Sequence, residues 1–376
     1  MIPSNKRKWF FEQKKDILDH RATGFDAVET QYTMPCGHIL ESPTHIAIIK
    51  KDLTRELGNL TSQLVDEVEQ GLKELWGTDT ENWQEVVLWD TIMALVTRTF
   101  NRILVGKPLC DNKKYLINTK KYVSTIHTMS AIIRIFPSWS KPLIGRLLSL
   151  PCWYYFWHGK RYALPLIQAR LAEGLTEVQT GEEGQERNDF VMWIIRTALK
   201  MESLVDLQLS TIYARLMSMN FAGIHTSSFT TVNCLIDALS HENIFQNIEK
   251  EVTQAYVRCN GKWTKAAIDG LEFVDGALRE SIRCSGPIVR LLREVVAEKG
   301  VDIDGVTIPK GTKLAVDMHN MHLDDTVYQD AKVYNPNRFT PFTTERNSPV
   351  VKTNEYFLGF GHGRVCHPSC SFSSRC

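Results

Sequence analysis

The run Phe357-Leu358-Gly359-Phe360-Gly361-His362-Gly363-Arg364-Val365-Cys366 sets glycines at alternate positions ahead of a cysteine. Glycine takes positive φ without steric cost, so a tight turn here can aim successive backbone N–H groups at the sulfur and stabilise its negative charge. That arrangement suits a thiolate held under a haem iron, with Phe360 packed against the macrocycle. The plain alternative is a glycine-rich loop beside an unrelated thiol.

Upstream, Leu278-Arg279-Glu280-Ser281-Ile282-Arg283 places a carboxylate and a guanidinium on one face of a helix. An isolated pair of this kind is ordinarily a solvated ion pair of small energetic value. Here Tyr334-Asn335-Pro336-Asn337-Arg338-Phe339 follows and offers the same carboxylate a second guanidinium. Earlier still, Asn220-Phe221-Ala222-Gly223-Ile224-His225-Thr226-Ser227-Ser228 lies within a helical stretch expected over about 204–240. A mid-helix glycine costs roughly 1 kcal/mol relative to alanine, so it calls for a reason. Small side chains at Ala222 and Gly223 would admit a flat cofactor. Thr226 would then hydrogen-bond dioxygen or a water, and local unwinding would open a proton route. The same residues suit a close contact between two packed helices.

In this order the features resemble the cytochrome P-450 family of haem-thiolate monooxygenases, which runs oxygen-binding helix, E-x-x-R helix, P-x-R-F meander and cysteine loop. The Ala222–Ser227 form of the helix, the loop sequence and Leu53-Thr54-Arg55-Glu56-Leu57-Gly58 are similar to the filamentous-fungal secondary-metabolism branch, and the likeness extends over about 8–364. The resemblance implies a mainly α fold with a small β-sheet, forming a single haem-binding domain over 1–376. It implies haem b as cofactor and electrons from NADPH, delivered one at a time by an NADPH-cytochrome reductase. The implied reaction hydroxylates or otherwise oxidises an apolar small molecule such as a terpenoid, indole-terpenoid or polyketide intermediate. A thiolate ligand pushes electron density toward iron and favours O–O cleavage.

By the same resemblance Thr226 is the oxygen-activating threonine, with His225 beside it in the proton relay. Glu280, Arg283 and Arg338 form a structural triad. Phe360, Gly361, Gly363 and Arg364 make the loop before the axial ligand Cys366. Lys50 or Lys51, with Arg290 and Arg293, are expected at the haem propionates, since charge-assisted bonds to carboxylates favour Lys and Arg. In the family pattern the cysteine sits one residue further from the loop phenylalanine, a place held here by His367. That makes His367 the alternative ligand, one suited to oxygen binding or electron transfer rather than hydroxylation. From Val365 onward the residues leave the pattern, and Ser369 stands where a glycine is expected. A shifted reading frame would account for the switch, which sequencing the transcript across the codons after Arg364 tests. No family anchor, hinge or first strands are recognised before Lys8, so the fold is expected to be incomplete at both termini. Strands over 291–297 and 313–318, joined across Gly305 and Pro309-Lys310-Gly311, are expected to lack their usual partners, and the open edge to cost stability.

The elements that must position these residues read as mostly helical over 44–280, where prolines fall only between Pro108 and Pro165. Apolar residues near i, i+3, i+4 and i+7 predict long amphipathic helices over 45–70 and 83–105. A chain of 376 residues, 43% hydrophobic and 23% charged, can bury a large core. The formal charge of +1 leaves no nucleic-acid footprint, and nine cysteines without a secretory signal argue against a disulfide framework. Over 112–172 there is no Asp or Glu, while Lys and Arg recur among Ile132, Phe136, Trp139, Leu147, Trp153, Tyr154, Phe156 and Trp157. Such a mixture suits a membrane headgroup region. By resemblance this segment roofs the substrate pocket, and it predicts contact through roughly 130–160 with the cytosolic face of the endoplasmic reticulum membrane. A packed helical pair with a basic side is the alternative. Two other readings of the whole chain stay open: a non-catalytic remnant of the family, and a helical protein stabilised by zinc on Cys366, His367, Cys370 and Cys376, which lacks the usual paired knuckles.

Overall fold

Helical periodicity over the first part of the chain is realised in the computed structural model, which describes residues 1–34, 37–181, 188–340, 349–350, 352–362 and 365–366. The expected helix over 45–70 is the run Thr44–Ile48, a π-helical turn Ile49–Leu53, and the helix Thr54–Trp76, which stops where Gly77 takes φ +77°. The next, Leu88–Leu104, begins later than expected. Helices Lys113–Ile133 and Phe190–Lys200 start on side-chain caps, with Asn112 accepting from the Tyr115 amide and Asp189 from the Met192 amide. Between them lie Lys141–Leu148 and Leu150–Thr180, the latter closed by left-handed Gly181. Helix Leu209–Leu239 follows as one uninterrupted element.

Residues Val28–Phe229, with Trp263–Lys265, make one compact unit. Its core is a cluster in which Tyr115, Tyr122, Ile126, Phe156, Phe190, Ile212, Tyr213 and Leu216 are all buried. Tyr115, Tyr122 and Ile126 lie on one face of their helix, whereas Phe190–Ile195 and Ile212–Met217 are buried all round, and such burial is what stabilises helices of this length.

The second unit comprises Met1–Ala27, Thr230–Lys262 and Ala266–Cys376. Its strands are β1 (Leu18–Asp19), β2 (Arg290–Val295), β3 (Val301–Ile303), β4 (Val306–Ile308), β5 (Lys313–Asp317), β6 (Gly361–His362) and β7 (Val365–Cys366). The expected strands over 291–297 and 313–318 are shortened to β2 and β5 and pair with each other, and the edge of β2 that was expected to stand open is covered by β1. β2 is the middle strand of an antiparallel sheet ordered β1-β2-β5, with Leu18 opposite Val295 and Leu291 opposite Val316. Ile2 adds a backbone bond to Ala315 O at 2.8 Å. β3 and β4 form a hairpin turning through Asp304 and Gly305, both at positive φ. Helices Glu242–Arg258 and Glu272–Ser285 complete the frame, the second capped by Glu251, whose carboxylate accepts from the Phe273 and Val274 amides at 2.9 Å each. Among the described residues no helix is long and apolar enough to cross a membrane.

Candidate active site

Glu280 and Arg283 lie one turn apart in the Glu272–Ser285 helix, both completely buried. The Arg283 guanidinium grips the carboxylate as a fork, Nε and Nη2 each donating at 2.7 Å to separate oxygens. Arg338, from the 3-10 turn Pro336–Arg338, adds Nε at 3.3 Å, and the Asn335 amide adds a bond at 3.0 Å. Arg283 also donates to His322 O, and Arg338 to Gln329 O and Asp330 O. A buried carboxylate needs this much compensation, because desolvating an ion costs several kcal/mol that only good geometry returns. The three residues expected as a triad are therefore brought together, and they tie the helix to the meander.

The approach to the cysteine loop rests on residues that spacing does not reveal. His322 is buried, stacks on Phe357 with ring centroids 5.6 Å apart, and accepts from the Leu358 amide at 3.1 Å through Nε2. Burial, with the nearby Arg283 charge, pushes its pKa down to about 3, so the ring is neutral and able to accept. Arg279 lies between the Phe339 and Phe357 rings, 4.6 and 4.4 Å from their centroids, and donates to Pro349 O. Asn354 Oδ1 accepts from the Tyr356 and Phe357 amides, closing the turn. A Cβ on Gly359 would stand 2.4 Å from Ile282, so the chain passes too close for any side chain there. Phe360 is half-buried.

Gly361 takes φ +77°, and β6 turns into β7 with Gly361 paired to Cys366. Gly363, Arg364 and His367 lie outside the described residues, as does the Cys366 side chain. A cysteine is the donor type that a haem-thiolate site uses. Cys110 and Cys152 are pushed up to about 12, and Cys234 and Cys284 to about 11, in each case by burial first, so these are protonated thiols at neutral pH. Gly361, the left-handed residue of the turn ahead of Cys366, donates its own N–H to Leu358 O at 2.8 Å.

In the other unit, Ala222 and Thr226 share an exposed face of the Leu209–Leu239 helix. The Thr226 hydroxyl donates to Ala222 O at 2.8 Å within an unbroken helix, so the expected local unwinding is absent. Gly223 accommodates the Phe100 ring: an added Cβ would meet its tip at 2.4 Å. This is the helix–helix contact that the small residues also allowed. His225 does not share the open face. Its ring packs edge-on against His127 at 4.3 Å and lies 5.8 Å from Trp89, and burial pushes its pKa down to about 4, with His127 adding to the effect.

The residues expected at the propionates divide differently. Arg290 is exposed at the start of β2, and Lys50 is half-buried in the π-helical turn of the other unit, with Lys51 exposed beside it. Arg293 is 3% exposed, donates to Phe10 O at 2.6 Å and lies 4.9 Å over the Phe10 ring. Strand alternation explains this, since Arg293 shares a face with Leu291 and buried Val295 while Arg290 and Leu292 point to the other.

The cytochrome P450 family profile matches residues 23–366, and the chain belongs to that family of haem-dependent monooxygenases. Its mainly helical architecture with small antiparallel sheets is the cytochrome P450 fold. It is 31% identical to cytochrome P450 monooxygenase 151 of Postia placenta, over 96% of this chain and 73% of that protein. Against cytochrome P450 monooxygenase htyF of Aspergillus rugulosus the identity is 27%, over 100% of this chain and 58% of the relative. Cytochrome P450 monooxygenase lnaC of Aspergillus flavus is 29% identical, over 99% and 73% respectively. The chain thus spans between 58% and 73% of these fungal relatives.

Proposed function

We propose that this chain holds haem b on Cys366 and oxidises an apolar fungal secondary metabolite, of terpenoid, indole-terpenoid or polyketide type, with electrons from NADPH passed on by a cytochrome reductase. Bound haem supplies reductive activation of dioxygen for insertion of oxygen into a C–H bond. Thr226 holds a proton at Oγ1 that its bond to Ala222 O keeps oriented, and it exchanges that partner for a water or substrate oxygen on the open face. Phe360 and the turn at Gly361 would stand beside the haem, with Arg290 or Arg293 and Lys50 supplying cations for its carboxylates. The buried Glu280 cluster keeps the meander rigid behind the loop. The observation that carries this reading is the exposed Ala222–Thr226 strip on a continuous helix, in a chain of this family.

Exposed apolar side chains at Ile135, Trp139, Leu143, Leu147, Leu150, Tyr154 and Trp157 support peripheral contact with the cytosolic face of the endoplasmic reticulum membrane. The ligand assignment is tested by the absorption of the haem-supplemented, reduced carbonyl complex. We expect the red-shifted Soret band of a thiolate in the parent chain and in His367→Ala, and its loss in Cys366→Ala. An imidazole-type band that survives Cys366→Ala, or no haem uptake at all, would overturn it.

A further inference from the structure

Three side chains on the packed side of the Leu209–Leu239 helix are fully buried, polar and bonded to one another. Asn101, from the Leu88–Leu104 helix, donates through Nδ2 to Asn220 Oδ1 at 2.8 Å and to Thr97 O at 2.9 Å. Tyr115, from the Lys113–Ile133 helix, donates its hydroxyl to Asn101 Oδ1 at 2.9 Å. Asn220 in turn donates to Leu216 O at 3.1 Å. Each amide oxygen therefore has a donor and each amide nitrogen an acceptor, in a region otherwise packed with hydrocarbon.

Helical geometry gives this network a direction. At about 100° per residue, Ala222 and Thr226 stand roughly 200° and 240° around the axis from Asn220, on the far side of the helix, while Gly223 stands about 60° from it. Gly223 is where the Phe100 ring rests, and Phe100 precedes Asn101 in the chain. One turn of the Leu88–Leu104 helix thus holds the Leu209–Leu239 helix at two adjacent points, by a directional amide pair and by a ring seated where no Cβ intervenes. Apolar contacts tolerate rotation of a helix about its axis. A buried amide pair does not, because a small rotation leaves both groups unsatisfied.

We propose that Asn101, backed by Tyr115, is a positioning residue that fixes the rotation of the Leu209–Leu239 helix through Asn220 and so keeps the Ala222–Thr226 strip outward. The proposal deepens the reading of Thr226 given above and rests on it for its functional meaning. Its test needs neither haem nor turnover. Cysteine is introduced in the full chain at the outward position (Thr226→Cys) or at the ring-packed position (His225→Cys), and the alkylation rate at each is read by peptide mapping. In the parent background the outward site should react faster.

Adding Asn101→Leu with Asn220→Leu supplies an apolar pair that keeps the urea midpoint close to the parent's, yet should lower the ratio of the two rates at least fivefold. Tyr115→Phe, which removes one hydrogen bond, should move the ratio the same way by a smaller factor and covers the case in which the leucine pair does not fold. An unchanged ratio in the folded variants would overturn the proposal, showing that packing alone sets the rotation. Failure of the spectral test on Cys366 would leave this ratio untouched, so the two readings fall separately.

Discussion

The His322 imidazole accepts the Leu358 amide while its own carbonyl accepts from Arg283, so one residue joins the Glu280 cluster to the start of the cysteine loop. Its folded pKa of about 3 lies below the ordinary value near 6.5, because burial and then the Arg283 charge oppose protonation. The stabilising contribution of the neutral ring is therefore complete above about pH 6.5 and is lost as pH falls toward 3, where the unfolded chain binds a proton that the folded site refuses. At about 1.4 kcal/mol per pH unit, the loss at pH 5 is on the order of 2 kcal/mol. His322→Gln keeps an acceptor and removes the titration, so urea denaturation of that variant should show a flatter dependence between pH 6.5 and 5. An equal slope in both proteins would remove His322 from this role. Sequence spacing displayed Glu280, Arg283 and Arg338 because they belong to ordered motifs. It was silent on His322 and Asn101, whose partners lie 36 and 119 residues away and leave no local pattern.

Two mid-helix glycines show how an element's surroundings reverse a local preference. Gly58 sits in the Thr54–Trp76 helix with nothing within 4 Å of where a methyl group would stand, whereas a Cβ on Gly276 would meet Pro336 O at 2.8 Å and Thr340 at 2.9 Å. Gly58→Ala should stabilise the protein by about 1 kcal/mol through helix propensity alone. Gly276→Ala gains the same propensity but presses the Glu272–Ser285 helix off the meander backbone, and overpacking of this kind costs about 1–3 kcal/mol. Urea midpoints should therefore move in opposite directions, and a rise for both would show that the meander yields freely. Long helices were legible from their periodicity, and so was the pair β2 and β5. β1 was not, since two residues are too few to display alternation, and without it the edge of β2 was expected to stand open. The burial of Arg293 was also available from the strand period.

At the scale of the molecule, a net charge of +1 conceals a local asymmetry, the acid-free stretch over 112–172. Within it Trp139 is 84% exposed and Trp157 54%, with the Lys160 ammonium 3.9 Å above the Trp157 ring. Phe156 is instead buried, and Trp153 donates its indole N–H to Tyr32 O at 2.8 Å. Composition marked the stretch but could not separate these inward rings from the outward ones. Trp139→Ser, Leu143→Ser and Trp157→Ser combined should abolish co-sedimentation with phosphatidylserine-containing vesicles. The packed pair Trp153→Ser and Phe156→Ser should chiefly lower stability. Vesicle binding that persists in the outward triple variant would exclude the membrane contact.

The pairing of Leu18 with Val295 also dictates an order of events at the ribosome. Residues 28–229 are contiguous and emerge together, whereas the opening segment has its strand partner only after more than 270 further residues have been made. At roughly 5–20 residues per second, that segment waits on the order of tens of seconds with Phe10 and Phe11 uncovered. During synthesis those two rings are accordingly a natural landing place for a chaperone, and the interval closes when β2 leaves the exit tunnel.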